Sequence, residues 1–162
     1  VGFLYAGLMI MTDGTSKVSE FNCRFGVPET QPIMMRLNTD MAELCKATLD
    51  GKLARESAAW DARASLGVVL AAGGYPDSYA KGKVIAGLDK ADSESQKVFH
   101  AGTRQTDEGV VTSGGRVLCV VGLGETVAGA AEASYDAVHK ICWDGVYYRR
   151  DIGHRAIARE QG

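Results

Sequence analysis

The segment Lys17-Val-Ser-Glu-Phe-Asn-Cys-Arg-Phe25 holds the residue types best suited to chemistry. Side chains alternate along a strand, so Ser19, Phe21, Cys23 and Phe25 are expected on one, buried face. Glu20, Asn22 and Arg24 then share the other. That second face offers a carboxylate, a neutral amide oxygen and a guanidinium within two pleats. Oxygen donors at this spacing suit Mg²⁺, which keeps several waters and takes few protein ligands together with substrate phosphates. An arginine beside such a metal would stabilise charge growing on a transferring phosphoryl group. Polar triplets of period two also arise by chance on solvated sheet faces, so the pattern alone leaves both readings open.

Other segments carry weaker chemistry. Gly122-Leu-Gly124-Glu-Thr126 invites a phosphate-loop reading, but it lacks the third glycine of a dinucleotide fingerprint and the Gly-Lys-Ser/Thr of a P-loop. A tight strand-to-helix turn with Thr126 near the N-cap fits better. Ser113-Gly-Gly-Arg116 is either a hairpin turn or a place where backbone meets a ligand. His100 has no acidic or cysteine partner in sequence and reads as a hydrogen-bonded structural histidine, and His139 reads as surface. Arg149-Arg150-Asp151 reads as a local ion-pair cluster, with phosphate binding as the lesser reading. Cys23, Cys45, Cys119 and Cys142 form no C-x-x-C pair, which excludes zinc-finger spacing and a dense disulfide framework. They read as reduced, buried thiols in a cytoplasmic protein.

These groups need elements to position them. A long apolar strand over 3–11, the turn Thr12-Asp-Gly-Thr-Ser16 and a return strand over 17–25 make a hairpin, signalled by Asp-Gly. Thr30-Gln-Pro32 reads as a helix start. A second helix runs over 40–50, with Met41, Leu44, Cys45, Thr48 and Leu49 as its buried stripe and Gly51 as its left-handed cap. Residues 52–65 read as a linker around Trp60. Short strands follow at 66–72, 83–86, 97–102, 110–112, 116–121 and 146–149. A helix over 126–141, with Val127, Ala131, Tyr135, Val138 and Ile141 on its inner face, and a short helical tail complete the chain. The fold class is α+β, in two units: residues 1–55, the tail of an α/β domain, and residues 60–162, a small antiparallel β-rich module with one main helix.

Composition bounds the function. Of 162 residues, 46% are hydrophobic, enough for a core, which excludes wholesale disorder. The net charge of −2 argues against nucleic acid or an anionic membrane as partner. Val1–Met11 is apolar but has no basic segment before it and no cleavage site after it, and it is too short to span a bilayer. The chain opens inside this apolar run without an initiator Met, and so reads as the C-terminal part of a longer protein.

Several segments jointly carry a resemblance. Tyr5-Ala-Gly-Leu-Met-Ile10, Glu20-Phe-Asn-Cys-Arg-Phe-Gly26 and Pro28-Glu-Thr-Gln-Pro32 resemble the glycinamide ribonucleotide synthetase (phosphoribosylamine–glycine ligase) family of the ATP-grasp superfamily. The likeness continues in register through Trp60-Asp61, Ala71-Ala-Gly-Gly-Tyr-Pro76, Val98-Phe-His-Ala-Gly102, Gly114-Gly-Arg-Val-Leu118 and Tyr148-Arg-Arg-Asp-Ile-Gly153. It implies the C-terminal part of an ATP-grasp domain at 1–55, bearing the metal-binding strand, and the accessory C-terminal domain of the ligase at 60–162. The implied reaction joins glycine to 5-phosphoribosylamine with ATP as co-substrate, through glycyl phosphate, in de novo purine biosynthesis.

The resemblance assigns Glu20 and Asn22 as ligands to Mg²⁺ or Mn²⁺ and Arg24 to the acyl-phosphate region. Gly26, Glu29, Gly114 and Gly115 are candidate substrate contacts. The missing N-terminal part of the same enzyme is the implied partner, since the nucleotide-binding lysines, adenine pocket and phosphate-covering loop are absent here. One departure stands out. Where the family reads Phe-Gly-Asp-Pro-Glu, this chain has Phe25-Gly-Val-Pro-Glu29, replacing a carboxylate with an apolar side chain that accepts no hydrogen bond. Two rival readings are another ATP-grasp carboxylate–amine ligase and a non-catalytic, stand-alone binding module.

Overall fold

The computed structural model describes residues 1–162 and divides into two compact units, Val1–Thr30 with Leu37–Trp60, and Gln31–Arg36 with Asp61–Gly162. In the first unit, β1 (Tyr5–Ile10) and β2 (Ser16–Asn22) form an antiparallel hairpin. Gly14 takes a left-handed φ of 82° at its turn, where an L side chain would be strained. Asp13 Oδ1 accepts the Thr15 N–H at 2.9 Å, so the Asp-Gly signal acts as expected.

The hairpin's register decides which residues share a face. Tyr5 pairs with Asn22 and Gly7 with Glu20, but the next pair is Leu8 with Val18. Ser19 is therefore an extra residue, a β-bulge that sets two residues against one. Around it, Tyr5, Glu20, Asn22 and Lys17 define a polar face, while Ala6, Leu8, Ile10, Val18 and Phe21 define an apolar one. The apolar face is open, with Leu8 at 55% and Phe21 at 62% exposure. The expected burial of Ser19, Phe21 and Cys23 is thus corrected: all three are exposed, and only Phe25 is half-buried, against Phe3.

Helix α1 (Thr30–Arg36) starts where Thr30-Gln-Pro32 places it. Helix α2 (Met41–Leu49) is capped by Asp40, whose carboxylate accepts the Ala42 N–H, and is followed by Gly51 at φ 68°. Its expected buried stripe is corrected, since Ala47 alone is buried and Leu49 is exposed. A short 3-10 turn at Leu53–Arg55 lies in the segment read as a linker.

The second unit is built on a four-stranded antiparallel sheet. Its strands are β3 (Ala64–Ala72), β4 (Gln96–His100), β7 (Arg116–Gly124) and β8 (Val146–Tyr147), in the order β4-β7-β3-β8. A separate hairpin joins β5 (Thr103–Thr106) to β6 (Gly109–Thr112). The expected strand at 83–86 is reduced to isolated bridges, Val84 to Val111 and Ala86 to Cys142. Strand β5 escapes a hydrophobic reading because Thr103-Arg-Gln-Thr106 is polar throughout.

Both faces of the sheet are covered. On one, Leu66, Val68 and Leu70 stand opposite Gly122, Val120 and Leu118, beneath α3 (Val127–Lys140). On the other, a Cβ on Gly67 would sit 3.0 Å from Pro32 of α1 and 3.3 Å from the Cys119 sulfur. Ser65 Oγ donates to the Pro32 carbonyl, and Arg36 donates to the Asp61 carbonyl. These contacts group α1 with the second unit, although its sequence position lies within 1–55. At the start of this unit, the Arg63 guanidinium forks onto Asp61 and holds its carboxyl down to about 2.

Helix α3 lies unusually close to β7. A Cβ on Gly122 would come within 2.5 Å of the Ser134 nitrogen, and one on Gly124 would run into the Ala130 nitrogen. The helix meets them with Ala130, Ala131, Ser134, Ala137 and Val138 buried; of the expected inner face, Ala131, Val138 and Ile141 are buried, and Val127 and Tyr135 pack against the same core partly buried. The buried Ser134 hydroxyl accepts the Gly122 N–H at 2.8 Å and faces the Leu66 carbonyl at 2.6 Å and the Ala130 carbonyl at 2.9 Å. The last helix, α4 (His154–Gln161), returns Glu160 to the start of α3. No helix is long and apolar enough to cross a membrane. Ser134→Ala leaves buried groups of both β7 and β3 short of a partner and is expected to cost about 1–3 kcal/mol, read from the urea midpoint of the second unit's unfolding.

Candidate functional site

The polar face of the β1–β2 hairpin carries Glu20 and Asn22, and the segment that leaves it carries Arg24, Gly26 and Glu29. The bulge sets Glu20 opposite Gly7 and Asn22 opposite Tyr5, so both oxygen donors stand on one side. A Cβ added to Gly7 would lie 2.7 Å from Ser19 Oγ and 3.1 Å from Glu20 Cγ. Both side chains therefore pass over the glycine, and Ser19 lies beside Glu20 rather than with Phe21 as strict alternation requires. Ser19 Oγ donates to the Gly7 carbonyl at 3.0 Å, which holds the bulge closed.

Arg24 lies two residues past the end of β2, not within the strand, and its Nη1 donates to the Phe25 carbonyl at 2.8 Å. The loop that follows folds back at Gly26, whose carbonyl accepts both the Thr30 N–H at 3.2 Å and the Thr30 hydroxyl at 2.7 Å. A Cβ on Gly26 would meet Glu29 Oε2 at 2.6 Å and the Tyr5 ring at 2.7 Å. The Glu29 carboxylate and the Tyr5 ring close over its Cα, so a side chain at this position would have to displace both. The Tyr5 hydroxyl donates to Glu29 Oε1 at 3.3 Å.

The electrostatics of Tyr5 record this convergence. The Glu29 carboxylate first, then partial burial, the hydrogen bond to Glu29 and the Glu20 carboxylate push the phenol above its ordinary value. The Arg24 guanidinium pulls it the other way. Glu20, Arg24 and Glu29 thus all act on one hydroxyl. Tyr5 was not singled out from sequence as a site residue. The signal that could have found it is its pairing with Asn22, but that register depends on a bulge that residue alternation does not locate.

Glu20 and Asn22 offer one carboxylate and one amide oxygen on an open face, the kind of donor a hard divalent cation takes. Val27 is exposed at the loop's tip.

The remaining nominated residues lie in the second unit. Gly114 packs against Gly102, where a Cβ on Gly102 would fall 2.6 Å from the Gly114 Cα. Gly115 is covered by the Tyr75 ring. Thr126 Oγ1 accepts the Gly129 N–H at 3.0 Å, and the Glu160 carboxylate accepts those of Val127 at 2.8 Å and Ala128 at 3.4 Å. The amides of a phosphate loop are thus already occupied, and the tight-turn reading of Gly122–Thr126 stands. His100 Nδ1 shares a hydrogen bond with Thr103, His139 is exposed, and Arg149 forks onto Asp151. All four cysteines are free. Cys119 is buried and its thiol is pushed up to about 11, whereas Cys23 and Cys142 are exposed, which corrects their expected burial.

The chain matches two family descriptions, "Phosphoribosylglycinamide synthetase, C domain" over residues 65–155 and "Phosphoribosylglycinamide synthetase, ATP-grasp (A) domain" over residues 1–30. It is 59% identical over 160 residues to a phosphoribosylamine–glycine ligase of Vibrio parahaemolyticus, covering 99% of this chain and 37% of that protein. It is 61% identical over 161 residues to the enzyme of the same name from Allochromatium vinosum, covering 99% and 38%. A crystal structure of phosphoribosylamine–glycine ligase from Thermotoga maritima superposes with a TM-score of 0.71 at 38% identity, over 92% of this chain and 36% of that one. The chain therefore spans somewhat over a third of the length of these relatives.

A methyl group at Gly7 has to displace the Ser19 hydroxyl and crowds Glu20 Cγ, so Gly7→Ala disturbs the setting of Glu20. Introduced into a full-length protein carrying this segment, it is expected to weaken Mn²⁺ binding at least about tenfold while the unfolding of the second unit is unchanged, as measured by Mn²⁺ titration followed by electron paramagnetic resonance.

Proposed function

The chain belongs to the phosphoribosylglycinamide synthetase family, and we propose that it supplies the metal-binding strand and C-terminal domain of an ATP-dependent ligase joining glycine to 5-phosphoribosylamine. The names of relatives at about 60% identity support this reaction, which would yield glycinamide ribonucleotide, ADP and phosphate in de novo purine biosynthesis. The observation that carries the reading is the polar hairpin face, with Glu20 and Asn22 side by side and Arg24 just beyond them.

In the proposed reaction a glycine carboxylate oxygen attacks the γ-phosphorus of ATP. An O–P bond forms, the bond to the bridging oxygen of the β-phosphate breaks, and ADP leaves. The amine of phosphoribosylamine then attacks the acyl carbon; a C–N bond forms, the C–O bond breaks, phosphate departs and the nitrogen gives up a proton. Glu20 and Asn22 would hold Mg²⁺ or Mn²⁺, which when bound supplies positive charge to the ATP phosphates. Arg24 sets a planar cation against the oxygens of the transferring group, where charge grows in the transition state. Gly26 is assigned to the substrate loop as the residue over which Tyr5 and Glu29 close, and Glu29 offers an acceptor to a substrate N–H or O–H. Gly114 and Gly115 are candidate backbone contacts for substrate, with Gly102 and the Tyr75 ring packed against them. Glycine and 5-phosphoribosylamine are the assigned substrates, and the remaining part of the same enzyme is the assigned source of the ATP-binding groups.

In the full-length ligase, Glu20→Gln is expected to lower glycine-dependent ADP release at least about tenfold and to raise the Mg²⁺ concentration needed for half-maximal rate. Wild-type metal dependence in that variant overturns the metal assignment. Val27→Asp is expected to hold or raise the rate, and a loss of about tenfold or more overturns the view that Val27 is a tolerated departure. The 162-residue chain alone is expected to release no ADP when supplied with ATP, glycine and phosphoribosylamine.

A further inference from the structure

Residues 149–159 hold four arginines and one aspartate, in a chain whose net charge is −2. Three of those arginines, Arg149, Arg155 and Arg159, line one open groove of about 350 Å³ in the second unit, together with Ile152, Gly153 and Ala156. Arg155 and Arg159 stand one turn apart on the same face of α4. Two guanidiniums at that spacing repel each other unless an anion lies beside them. The acids nearest in sequence are committed elsewhere. Glu160 turns to the start of α3 and accepts the Val127 N–H at 2.8 Å. Asp151 accepts Arg149 Nε at 2.9 Å and Nη2 at 2.7 Å. The ion pairs of the structure include neither Arg155 nor Arg159.

The backbone that carries these groups is fixed from below. The Tyr135 hydroxyl of α3 donates to the Arg149 carbonyl at 2.8 Å and accepts the Ile152 N–H at 3.1 Å. A Cβ on Gly153 would run into Leu66, so the turn into α4 rests directly on the core. Asp151 orients the Arg149 fork and leaves its Nη1 outside the pair. The first turn of α4 has no side-chain cap, which adds its positive end to the three guanidiniums.

We propose that this groove binds a phosphate group, carried by a phosphate monoester or present as the free inorganic ion, between Arg155, Arg159 and the free edge of Arg149. The inference stands on the second unit alone and does not rest on the metal reading of the hairpin. Arginine forks match the oxygens of phosphate two at a time. A phosphate dianion offers three oxygens and a double charge to three guanidiniums, whereas a carboxylate has only two oxygens to share among them. Ile152 and Ala156 give the groove apolar surface for the carbon skeleton of a monoester.

The test is isothermal titration calorimetry on the full-length protein, with inorganic phosphate, ribose 5-phosphate and unphosphorylated ribose as separate probes. At least one phosphate-bearing probe is expected to bind saturably, and ribose is expected not to bind. Arg155→Gln combined with Arg159→Gln is expected to weaken that binding at least about tenfold. Arg104→Gln, which removes an exposed arginine of β5, is expected to change it less than about twofold. The two phosphate probes separate the sources. Affinity for inorganic phosphate equal to or above that for ribose 5-phosphate assigns the groove to the free ion, and a lower one assigns it to a monoester. Three results overturn the proposal: no saturable binding of either phosphate probe, ribose binding as well as ribose 5-phosphate, or wild-type affinity in the double variant. Arg155 and Arg159 are exposed, so thermal midpoints within a few degrees of wild type are expected, and Arg159→Gln alone carries the same sign if the double variant is unstable. The Glu20→Gln rate measurement bears on the hairpin, and either outcome there leaves this one unchanged.

Discussion

The absence of a side chain at Gly7 is the constraint on which the candidate site depends. Two residues of β2 face one residue of β1 there, and the extra side chain has to go somewhere. It goes over the glycine, together with Glu20, and the Ser19 hydroxyl ties the arrangement to the Gly7 carbonyl. Beyond the bulge the hairpin resumes its alternation, so Asn22 falls opposite Tyr5 and the chain exits toward Arg24 and Gly26. A methyl group at position 7 would disturb each of these in turn. The same logic recurs at Gly26, where the space left by a missing Cβ is filled by the Tyr5 ring and the Glu29 carboxylate.

The second unit applies close backbone approach to a different end. Gly122 and Gly124 let α3 rest almost on the main chain of β7, and the helix answers with alanines and one serine. Large apolar side chains do their packing within the sheet and along β3 and β7, where Val68, Leu70, Val117 and Val120 are fully enclosed. Ser134 belongs to this contact as much as any hydrophobe does, because its hydroxyl meets polar backbone that a tight helix–sheet seam would otherwise strand. The seam also explains why a glycine-rich strand-to-helix turn is not by itself a phosphate site.

Local signals in the sequence were read correctly where the physics is local. Asp13-Gly14 makes its hairpin turn, Thr126 caps its helix, and Gly51 follows its helix with positive φ. The readings that changed all depend on partners distant in sequence. Ser19 was placed with Phe21 because residue alternation carries no mark of a bulge. On α3 the expected Ala131, Val138 and Ile141 are buried, and a strand with two glycines adds the small residues Ala130, Ser134 and Ala137 to them. Residues 83–86 have strand composition but only isolated bridges, while the polar Thr103–Thr106 pairs fully with β6. Family resemblance pointed to Glu20, Asn22 and Arg24 on the hairpin, but the Tyr5–Glu29 contact spans 24 residues and follows from no spacing rule.

The hairpin's apolar face has a bearing on how this polypeptide behaves in solution. Ala6, Leu8, Ile10, Val18 and Phe21 share it, in a two-stranded sheet whose outer edges are unpaired. Isolated two-stranded sheets are marginal, and contiguous greasy surface beside open edges promotes strand-to-strand adhesion. A net charge of −2 gives little long-range repulsion against it. Leu8, Ile10, Val18 and Phe21 on this face therefore join Leu4, Leu49 and the other exposed apolar side chains in favouring self-association of the 162-residue chain. A polar substitution there would change solubility while leaving the Glu20 face as it is.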